Sequence, residues 1–444
     1  MEAGRTTCFP SPLLVRLAGI GTLTAAVALP FPSITSVAWT FFLLILVLAA
    51  IDWLVSRIDP APELDRLVPS HLVKGRAVTF AYRLRRSAGD DTVVDLLDEL
   101  PEALGGDSLV GPAKLSRGQR LEISHEVIPN RRGTFPMGPT MMRWRSRLGL
   151  FHLRKRYQLA HNIVILPAAS MPQRRIGITH RSLRDELGIR PKVARGEGRE
   201  FESLREYVPG DDQRHIDWRA SARHPRLQVR QYQTERHHIV MIALDTGRLM
   251  GAMVDGESKL DHAINCGAAL ARASAGLGDR VGFVAFDRQL RLFVRPKSGR
   301  PGAGAAIEAT SALTPAPFEP NYRILVETLA RNQKKRALLI LLTDFVEGGA
   351  SRDLEDYLAV LAKRHLVMLV AMRDRMLHEV DQREPGISRD RLYRRLALQD
   401  LVAERETALT RISRFGAQVL DLDPAQITAP VLNRYLAIRE AALI

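Results

Sequence analysis

Hydrophobic and polar positions follow three different rhythms along this chain, and each rhythm predicts a different kind of element. From Ile34 to Val55 the run is almost wholly apolar up to Asp52, with Phe41, Phe42, Leu43, Leu44, Ile45, Leu46, Val47 and Leu48 in unbroken succession. That matches the ~20 residues a bilayer core requires, and Trp39 and Trp53 lie near its ends, where aromatic belts form. A weaker apolar stretch runs from Leu13 to Leu29, with Arg16 near its start able to snorkel to the surface. The link from Pro30 to Ser36 carries no charge, while Arg5 and Arg16 mark one outer end and Arg57 the other. By the positive-inside rule this predicts a two-span transmembrane hairpin in a bacterial inner membrane, with the bulk of the chain in the cytosol. A cleaved signal peptide ending near Ala28 fits less well, because a stronger apolar stretch follows it.

The second rhythm occupies residues 60 to 170. Short alternating stretches such as Val78-Thr79-Phe80-Ala81-Tyr82 and Leu121-Glu122-Ile123-Ser124-His125-Glu126-Val127 are punctuated by turn formers at Gly89-Asp90, Gly105-Gly106-Asp107, Pro129-Asn130 and Arg132-Gly133. Regular short strands with such punctuation predict a β-sandwich-like domain.

The third rhythm begins near residue 236. Ile239–Leu244, Val281–Phe286, Ala337–Leu342, Leu366–Val370 and Gln418–Leu420 are continuous apolar runs of the kind buried on both faces of a sheet, and Leu290–Val294 reads as a hairpin partner of the second. Between them Leu260, Ile264, Gly267 and Ala271 share one helical face, Asn321 is placed to cap a helix through Leu325 and Leu329, and Asp390 to Phe415 reads as a long Arg-rich helix. The sum predicts a doubly wound, Rossmann-like α/β domain, whose ligands bind at the carboxyl ends of the strands. Asp245 and Asp344 stand at two such ends. The expected layout is therefore a membrane anchor over 1–58, a β-sandwich-like domain over 59–172, a connecting segment over 173–236 and an α/β domain over 237–444.

Charge alters this picture more than composition does. Apolar residues make up 46% of the 444, enough to bury real cores, yet the net charge is +15 and Arg clusters at Arg143, Arg145 and Arg147 and again from Arg214 to Arg230. Nucleic acid is disfavoured as partner because aromatics are only 6% and no recognition motif accompanies the basic runs. An anionic membrane surface fits a tethered basic body better. Cys8 and Cys266 are the only cysteines, so there is no disulfide framework, and Cys266 reads as a small packed residue.

Catalytic patterns are weak. Asp245-Thr246-Gly247 after an apolar strand has the look of an aspartic protease motif, but it occurs once and in an α/β context. Asp421-Leu422-Asp423 follows the last strand with little chain behind it. No Gly-x-x-x-x-Gly-Lys loop or Gly-x-Ser-x-Gly elbow is present, and Gly302-Ala303-Gly304 reads as a flexible turn.

The stretch from Gly198 to Asp212, Gly-Arg-Glu-Phe-Glu-Ser-Leu-Arg-Glu-Tyr-Val-Pro-Gly-Asp-Asp, continues as Arg214-His215-Ile216-Asp217-Trp218-Arg219-Ala220-Ser221-Ala222-Arg223 and then Val229-Arg230-Gln231-Tyr232. It resembles the signature of the domain-of-unknown-function family fifty-eight. Arg132-Gly133, Leu148-Gly149-Leu150-Phe151 and the ending Leu432-Asn433-Arg434-Tyr435-Leu436 look like other parts of that family. The resemblance implies a von Willebrand A-like fold after the signature and a MoxR-type AAA+ ATPase as partner. Arg199, Glu200, Phe201, Arg205, Tyr207, Gly210, Asp211, Asp212, Asp217, Trp218, Arg219, Arg230 and Tyr232 are the signature residues expected to form either an internal ion-pair lattice or a partner-binding surface.

Von Willebrand A domains often hold Mg²⁺ where the first strand ends in Asp-x-Ser-x-Ser. Here Asp245 matches, Gly247 and Leu249 replace the two serines, Arg248 adds a positive charge, and Asp344 matches the later Asp. Two carboxylates with few hydroxyls make a poor octahedral site, so no cofactor is expected beyond weakly held Mg²⁺ at Asp245 and Asp344, with Asn321 nearest the position of the third ligand. The alternative for Asp245 is to cap a helix or pair with Arg248. The expected function is a non-catalytic adaptor or co-chaperone for the ATPase and its client proteins. The alternatives are a metal-dependent hydrolase using the two aspartates and a basic scaffold for anionic lipid or nucleic acid.

Overall fold

The structure, a computed structural model, describes residues 6–28, 32–87, 91–159, 161–168, 195–208, 213, 216–223, 225–233, 238–344, 349–373 and 389–441. It is a mixed α/β chain that divides into two compact units, 1–168 and 169–444. The segments expected as separate anchor and strand-rich domains fall together in the first.

The first unit begins with strand β1 (Thr7–Pro10), followed at once by helices α1 (Pro12–Ala28) and α2 (Pro32–Ile58). Within α2, Trp39–Ile58 is long and apolar enough to cross a membrane, and the apolar part of α1 is shorter. The helices pack closely where Gly21 leaves room: a Cβ there would lie 3.2 Å from the Phe42 ring. After α2 come β2 (Glu63–Leu67), β3 (His71–Val73), β4 (Val78–Arg85), β5 (Thr92–Asp98), β6 (Ser108–Leu115), β7 (Arg120–Val127), β8 (Gly133–Pro136), β9 (Thr140–Arg145), β10 (Phe151–Tyr157) and β11 (Asn162–Leu166). They form a five-stranded sheet in the order β1-β10-β9-β5-β6 and two three-stranded sheets, β2-β4-β7 and β3-β11-β8. Alternate residues point inward, so Phe80, Tyr82 and Leu84 meet Val94, Leu96, Met142, Trp144 and Ile163 in one core. Inside it lies the buried pair Arg66–Asp98, at 2.6 Å, whose carboxylate also accepts from the Tyr82 and Thr140 hydroxyls, each at 2.6 Å.

In this unit β1, which precedes the helices, pairs antiparallel with β10, which follows them, Phe9 opposite His152. The start of the helical hairpin is thereby held to the five-stranded sheet, while its end leads into β2 of another sheet. The loop between β9 and β10 completes the joint. Asp52 of α2 is 1% exposed and accepts hydrogen bonds from the Ser146 hydroxyl at 2.6 Å, the Leu148 amide at 3.0 Å and the Leu150 amide at 3.2 Å, while Ser11 N–H donates to the Leu150 carbonyl at 2.8 Å. The carboxylate that interrupts the apolar run thus ties the helix to the strand domain.

The second unit opens with the antiparallel pair β12 (Arg195–Glu206) and β13 (Gln228–Gln233), joined through the one-turn helix α3 (Trp218–Ser221). Its main sheet has six strands: β14 (Ile239–Asp245), β17 (Arg280–Phe286), β18 (Leu290–Lys297), β19 (Leu338–Thr343), β20 (Leu366–Met372) and β21 (Gln418–Leu422), in the order β18-β17-β14-β19-β20-β21. A two-residue-stranded hairpin, β15 (Met253–Val254) and β16 (Glu257–Ser258), lies between the first two in sequence. All neighbours in the main sheet are parallel except β18, which returns antiparallel beside β17.

The strands are apolar on both faces because both faces are covered. Val240, Ile242 and Leu244 pack under α4 (Lys259–Gly276), α5 (Gly299–Thr310) and α9 (Thr428–Glu440). Met241 and Ala243 pack under α6 (Tyr322–Asn332), α7 (Gly349–Ala362) and α8 (Arg389–Arg414). Helix α4 approaches closely because a Cβ on Gly267 would lie 3.1 Å from the Phe283 ring. Cys266 is wholly buried on the same helix, and burial pushes its thiol up to about 12, which leaves it a packing residue. Gly302-Ala303-Gly304 is not a turn: it lies inside α5, where Ala303 is buried and the missing side chain of Gly302 lets the helix pass the Lys297 Cβ.

Candidate functional site

Parallel strands β14 and β19 end side by side, and their last residues bring two acids to one edge of the sheet. Asp245 is the final residue of β14 and Asp344 follows β19 directly. They are 1% and 3% exposed. The pairing of Leu244 with Leu342 sets their level, and Thr343 stands between them.

The two carboxylates are satisfied in different ways. Asp245 is held by neutral donors. Its Oδ1 accepts from the Gly247 amide at 2.6 Å and its Oδ2 from the Thr343 hydroxyl at 2.6 Å, with the Tyr322 hydroxyl 3.0 Å from the same Thr343 oxygen. Burial raises its carboxyl to about 7, with the nearby charges of Asp344 and Glu319 adding to the effect against the two hydrogen bonds. The expected pairing of Asp245 with Arg248 does not form. Arg248 turns outward and binds Glu319, with Nη2 2.7 Å from Oε1. Asp245 caps the turn at Gly247 rather than a helix.

Asp344 is held by cations. Lys259 Nζ lies 2.7 Å from Oδ2 with the lysine side chain only 2% exposed, and Arg405 Nη1 lies 3.3 Å from Oδ1. Arg405 also reaches Asp421 Oδ1 at 3.1 Å and the Met372 carbonyl at 2.9 Å, and Arg373 closes on Asp421 at 3.2 Å. The strand ends of β19, β20 and β21 are thus laced together by one network in which each buried charge has a partner of opposite sign, the condition for tolerating charges in a low-dielectric interior.

Local sequence explains how Lys259 arrives there. Ser258 is the N-cap of α4, accepting from the Asp261 amide at 3.1 Å while its own N–H donates to the Asp261 carboxylate at 3.2 Å. This capping box fixes the first turn and with it the direction of residue 259. A lysine in a first helical turn opposes the helix dipole, and the Asp344 carboxylate supplies the compensation.

The residues do not suit a resident Mg²⁺. A hard dication needs several oxygen ligands in octahedral array, whereas Asp344 faces the Lys259 ammonium and the Arg405 guanidinium. Asn321 is not aimed at the acids either. Its side chain caps α6 by accepting from Arg323 N–H at 3.1 Å, the role its spacing predicts. No cluster of three or more His, Cys, Asp or Glu able to hold an ion occurs among the described residues.

The rim of the crevice is open. The Arg248 amide donates to the Phe318 carbonyl at 2.8 Å and the Ala316 amide to the Thr246 carbonyl at 2.7 Å, so the loop from 315 to 320 lies over Gly247. Phe318 is 41% exposed with the Arg288 guanidinium 5.0 Å from its ring centre, and Met253 is 66% exposed. Lys259, Arg405 and Asp421 were not among the expected site residues. Lys259 and Asp421 each have a signal in sequence, the first as a cation placed against the dipole of its own helix and the second as an acid ending an apolar run, whereas Arg405 has none.

The signature residues occupy the β12–β13 arm. Arg199, Glu200, Phe201 and Arg205 are on β12, and Arg230 and Tyr232 on β13, with Phe201 opposite Tyr232 in register. Asp217 is the N-cap of α3, accepting from the Arg219 and Ala220 amides, and the Tyr207 amide donates to the Leu227 carbonyl at 2.8 Å. Trp218 is 68% exposed and Arg219 is exposed. Gly210, Asp211 and Asp212 lie outside the described residues. Of the ion pairs in this arm, Arg226–Glu206 at 2.8 Å joins the end of β12 to the bend that precedes β13, at the surface.

Known proteins resemble this chain in part. Uncharacterized protein Mb1516 of Mycobacterium bovis and Uncharacterized protein Rv1480 of Mycobacterium tuberculosis are each 27% identical to it over 192 residues, 43% of this chain and 58% of theirs. The chain therefore matches little more than half the length of these relatives. The crystal structure of the conserved hypothetical protein BatB from Bacteroides thetaiotaomicron aligns with 46% of this chain and 99% of its own, at 15% identity and a TM-score of 0.32. Residues 203–385, which include part of the signature arm, Asp245, Lys259 and Asp344, match the model of the family described as Protein of unknown function DUF58.

Proposed function

We propose that this chain is a membrane-tethered adaptor that docks a MoxR-type AAA+ ATPase or its client proteins on the strand tips of a von Willebrand A-like domain, without chemistry of its own. The observation that carries the proposal is the contrast at the crevice. Asp344 is paired internally with Lys259 and Arg405 and Asp245 is held by the neutral donors Gly247 and Thr343, while the rim exposes Phe318, Arg248, Arg288 and Met253. Aromatic residues, Met and Arg are the groups enriched at protein interfaces, and Arg and aromatic anchors dominate their energetics. A hydrolase built on Asp245 and Asp344 would need an open carboxylate or metal position, and the Lys259 ammonium argues against one.

The anchor part of the proposal is a two-span hairpin in a bacterial inner membrane with both outer ends in the cytosol. It is supported by the exposed apolar faces of both helices, Val15, Leu23, Leu43, Leu46 and Ile51 among them, and by β1, which leads into the hairpin, pairing with β10 of the strand domain. A helix of 17 residues such as α1 lies at the short end of what spans a bilayer.

The test is recovery of tagged full-length protein from membranes in mild detergent, with bound proteins identified by mass spectrometry. An AAA+ ATPase is expected with the native chain and lost with Phe318→Ala combined with Arg248→Glu. Absence of any ATPase from the native preparation, or turnover of a substrate by the purified chain alone, removes the proposal.

A further inference from the structure

At the foot of the hairpin the strand domain presents a second, differently built surface. The loop from Ser146 to Leu150 is fastened to α2 through Asp52 and to the start of α1 through Ser11. It therefore sits where the apolar run of α2 meets its first charge. A cleft of about 260 Å³ opens beside this loop, framed by Lys114, Arg145, Ser146, Arg147 and Leu148, with Asp91 on its wall. Asp91 engages Lys114 at 3.2 Å, so three basic side chains face one acid and the cleft is net positive.

Strand register extends the surface. Arg145 of β9 pairs with His152 of β10, which pairs with Phe9 of β1, so the three share one row on the outer face of the sheet, beside the point where α1 begins. Phe9 is 50% and Leu148 49% exposed. Burial, and then the nearby positive charges of Arg143 and Arg145, push the His152 imidazole below its usual range. Two exposed apolar side chains flanking a basic cleft, at the end of an apolar helix, match the two-part chemistry of a lipid: acyl chain beside, phosphate above.

We propose that the cleft framed by Lys114, Arg145 and Arg147 binds the phosphate of an anionic phospholipid in the leaflet the hairpin enters. The inference rests on the membrane-anchor reading. Arg forks match phosphate oxygens two at a time, and each basic residue near an anionic surface is worth roughly a factor of five in binding.

The experiment reconstitutes full-length protein in vesicles of phosphatidylcholine mixed with phosphatidylglycerol, and reads the ratio of the two lipids retained on the protein by native mass spectrometry. The native chain is expected to retain phosphatidylglycerol in excess of its bulk share. Lys114→Gln with Arg145→Gln and Arg147→Gln should cut that excess roughly a hundredfold, three factors of about five, and Arg147→Gln alone should cut it about fivefold, which covers the case in which the triple variant does not fold. Arg83→Gln, a surface change on β4, should leave it unchanged. Equal enrichment in native and variant chains overturns the inference, as does an equal loss with Arg83→Gln, which would mark a net-charge effect. Alkaline carbonate extraction separates the two readings: release of the protein from the vesicles defeats the anchor and the lipid site together, whereas retention without lipid preference defeats the site alone.

Discussion

Lys259 and Asp344, 85 residues apart in sequence, form an ion pair of 2.7 Å in which neither side chain is more than 3% exposed. Removing one partner of such a pair leaves the other charged and desolvated, at a cost of about 3–5 kcal/mol. Lys259→Met is therefore expected to lower the melting temperature of the detergent-solubilised chain by roughly 10 °C, with Arg405 moderating the loss. Lys259→Met combined with Asp344→Leu should recover much of it, since two apolar groups of similar volume replace a pair whose desolvation nearly cancels its attraction. Equal melting of native and Lys259→Met protein would show that the pair is not formed.

Gly247 stands where a metal-binding strand end would carry serine, and the space there is closed. A Cβ at this position would lie 2.9 Å from Asp245 Oδ1, 2.9 Å from the Pro320 ring and 3.1 Å from the Phe318 carbonyl. Gly247→Ser should therefore destabilise by about 1–3 kcal/mol through overpacking and add no ligand. Calorimetric titration with Mn²⁺ should be flat for the native chain and for this variant. Saturable heat at one ion per chain in the native protein would refute the metal-free crevice.

Asp245 predicts an unusual pH dependence. Its carboxyl is raised to about 7 by burial, against about 3.9 in an unfolded chain. The folded state thus holds a proton that the unfolded state releases, and its contribution to stability is full below pH ~4 and is lost as pH rises to about 7. Asp245→Asn removes this titration. The stability of the variant relative to the native chain should increase from pH 4 to pH 7 and level off above, as read from chemical denaturation across that range. A constant difference would mean that Asp245 titrates alike in both states.

Tyr435 shows what the chain's end contributes. It is wholly buried in α9, and its hydroxyl donates to Asp279 at 2.6 Å, while Arg439 reaches the same carboxylate at 3.3 Å and the His238 amide donates to its other oxygen at 3.2 Å. Asp279 immediately precedes β17, so this contact fastens the last helix to the end of the sheet opposite the crevice. Tyr435→Phe should cost about 1.5–3 kcal/mol, the worth of a hydrogen bond to a charged group, seen as a lower unfolding midpoint without change in membrane association.

Much of the architecture is legible in the sequence. Continuous apolar runs identified β14, β17, β19 and β20 because a strand buried on both faces has no polar alternation to blur it, whereas the edge strand β21 is half-buried throughout. Asn321 capped the helix its spacing implied, and Asp245 and Asp344 came to adjacent strand ends because parallel pairing of β14 with β19 admits no other outcome for the last residue of each run. Gly302 and Gly304 lie in a helix although two glycines in three residues resemble a turn, and the packing neighbour Lys297 explains one of them.

What sequence by itself determined is the set of local periodicities: which segments are apolar on one face, on both, or throughout, and which acids end them. Tertiary structure alone decided which charges meet. Arg405 is one arginine among many on a long basic helix, and nothing within its own turn marks it as the partner of an aspartate 61 residues earlier. Helical and strand patterns arise from backbone geometry repeated every few residues, whereas an ion pair across a sheet edge depends on the packing of α4 and α8 onto opposite faces, which no window along the chain contains.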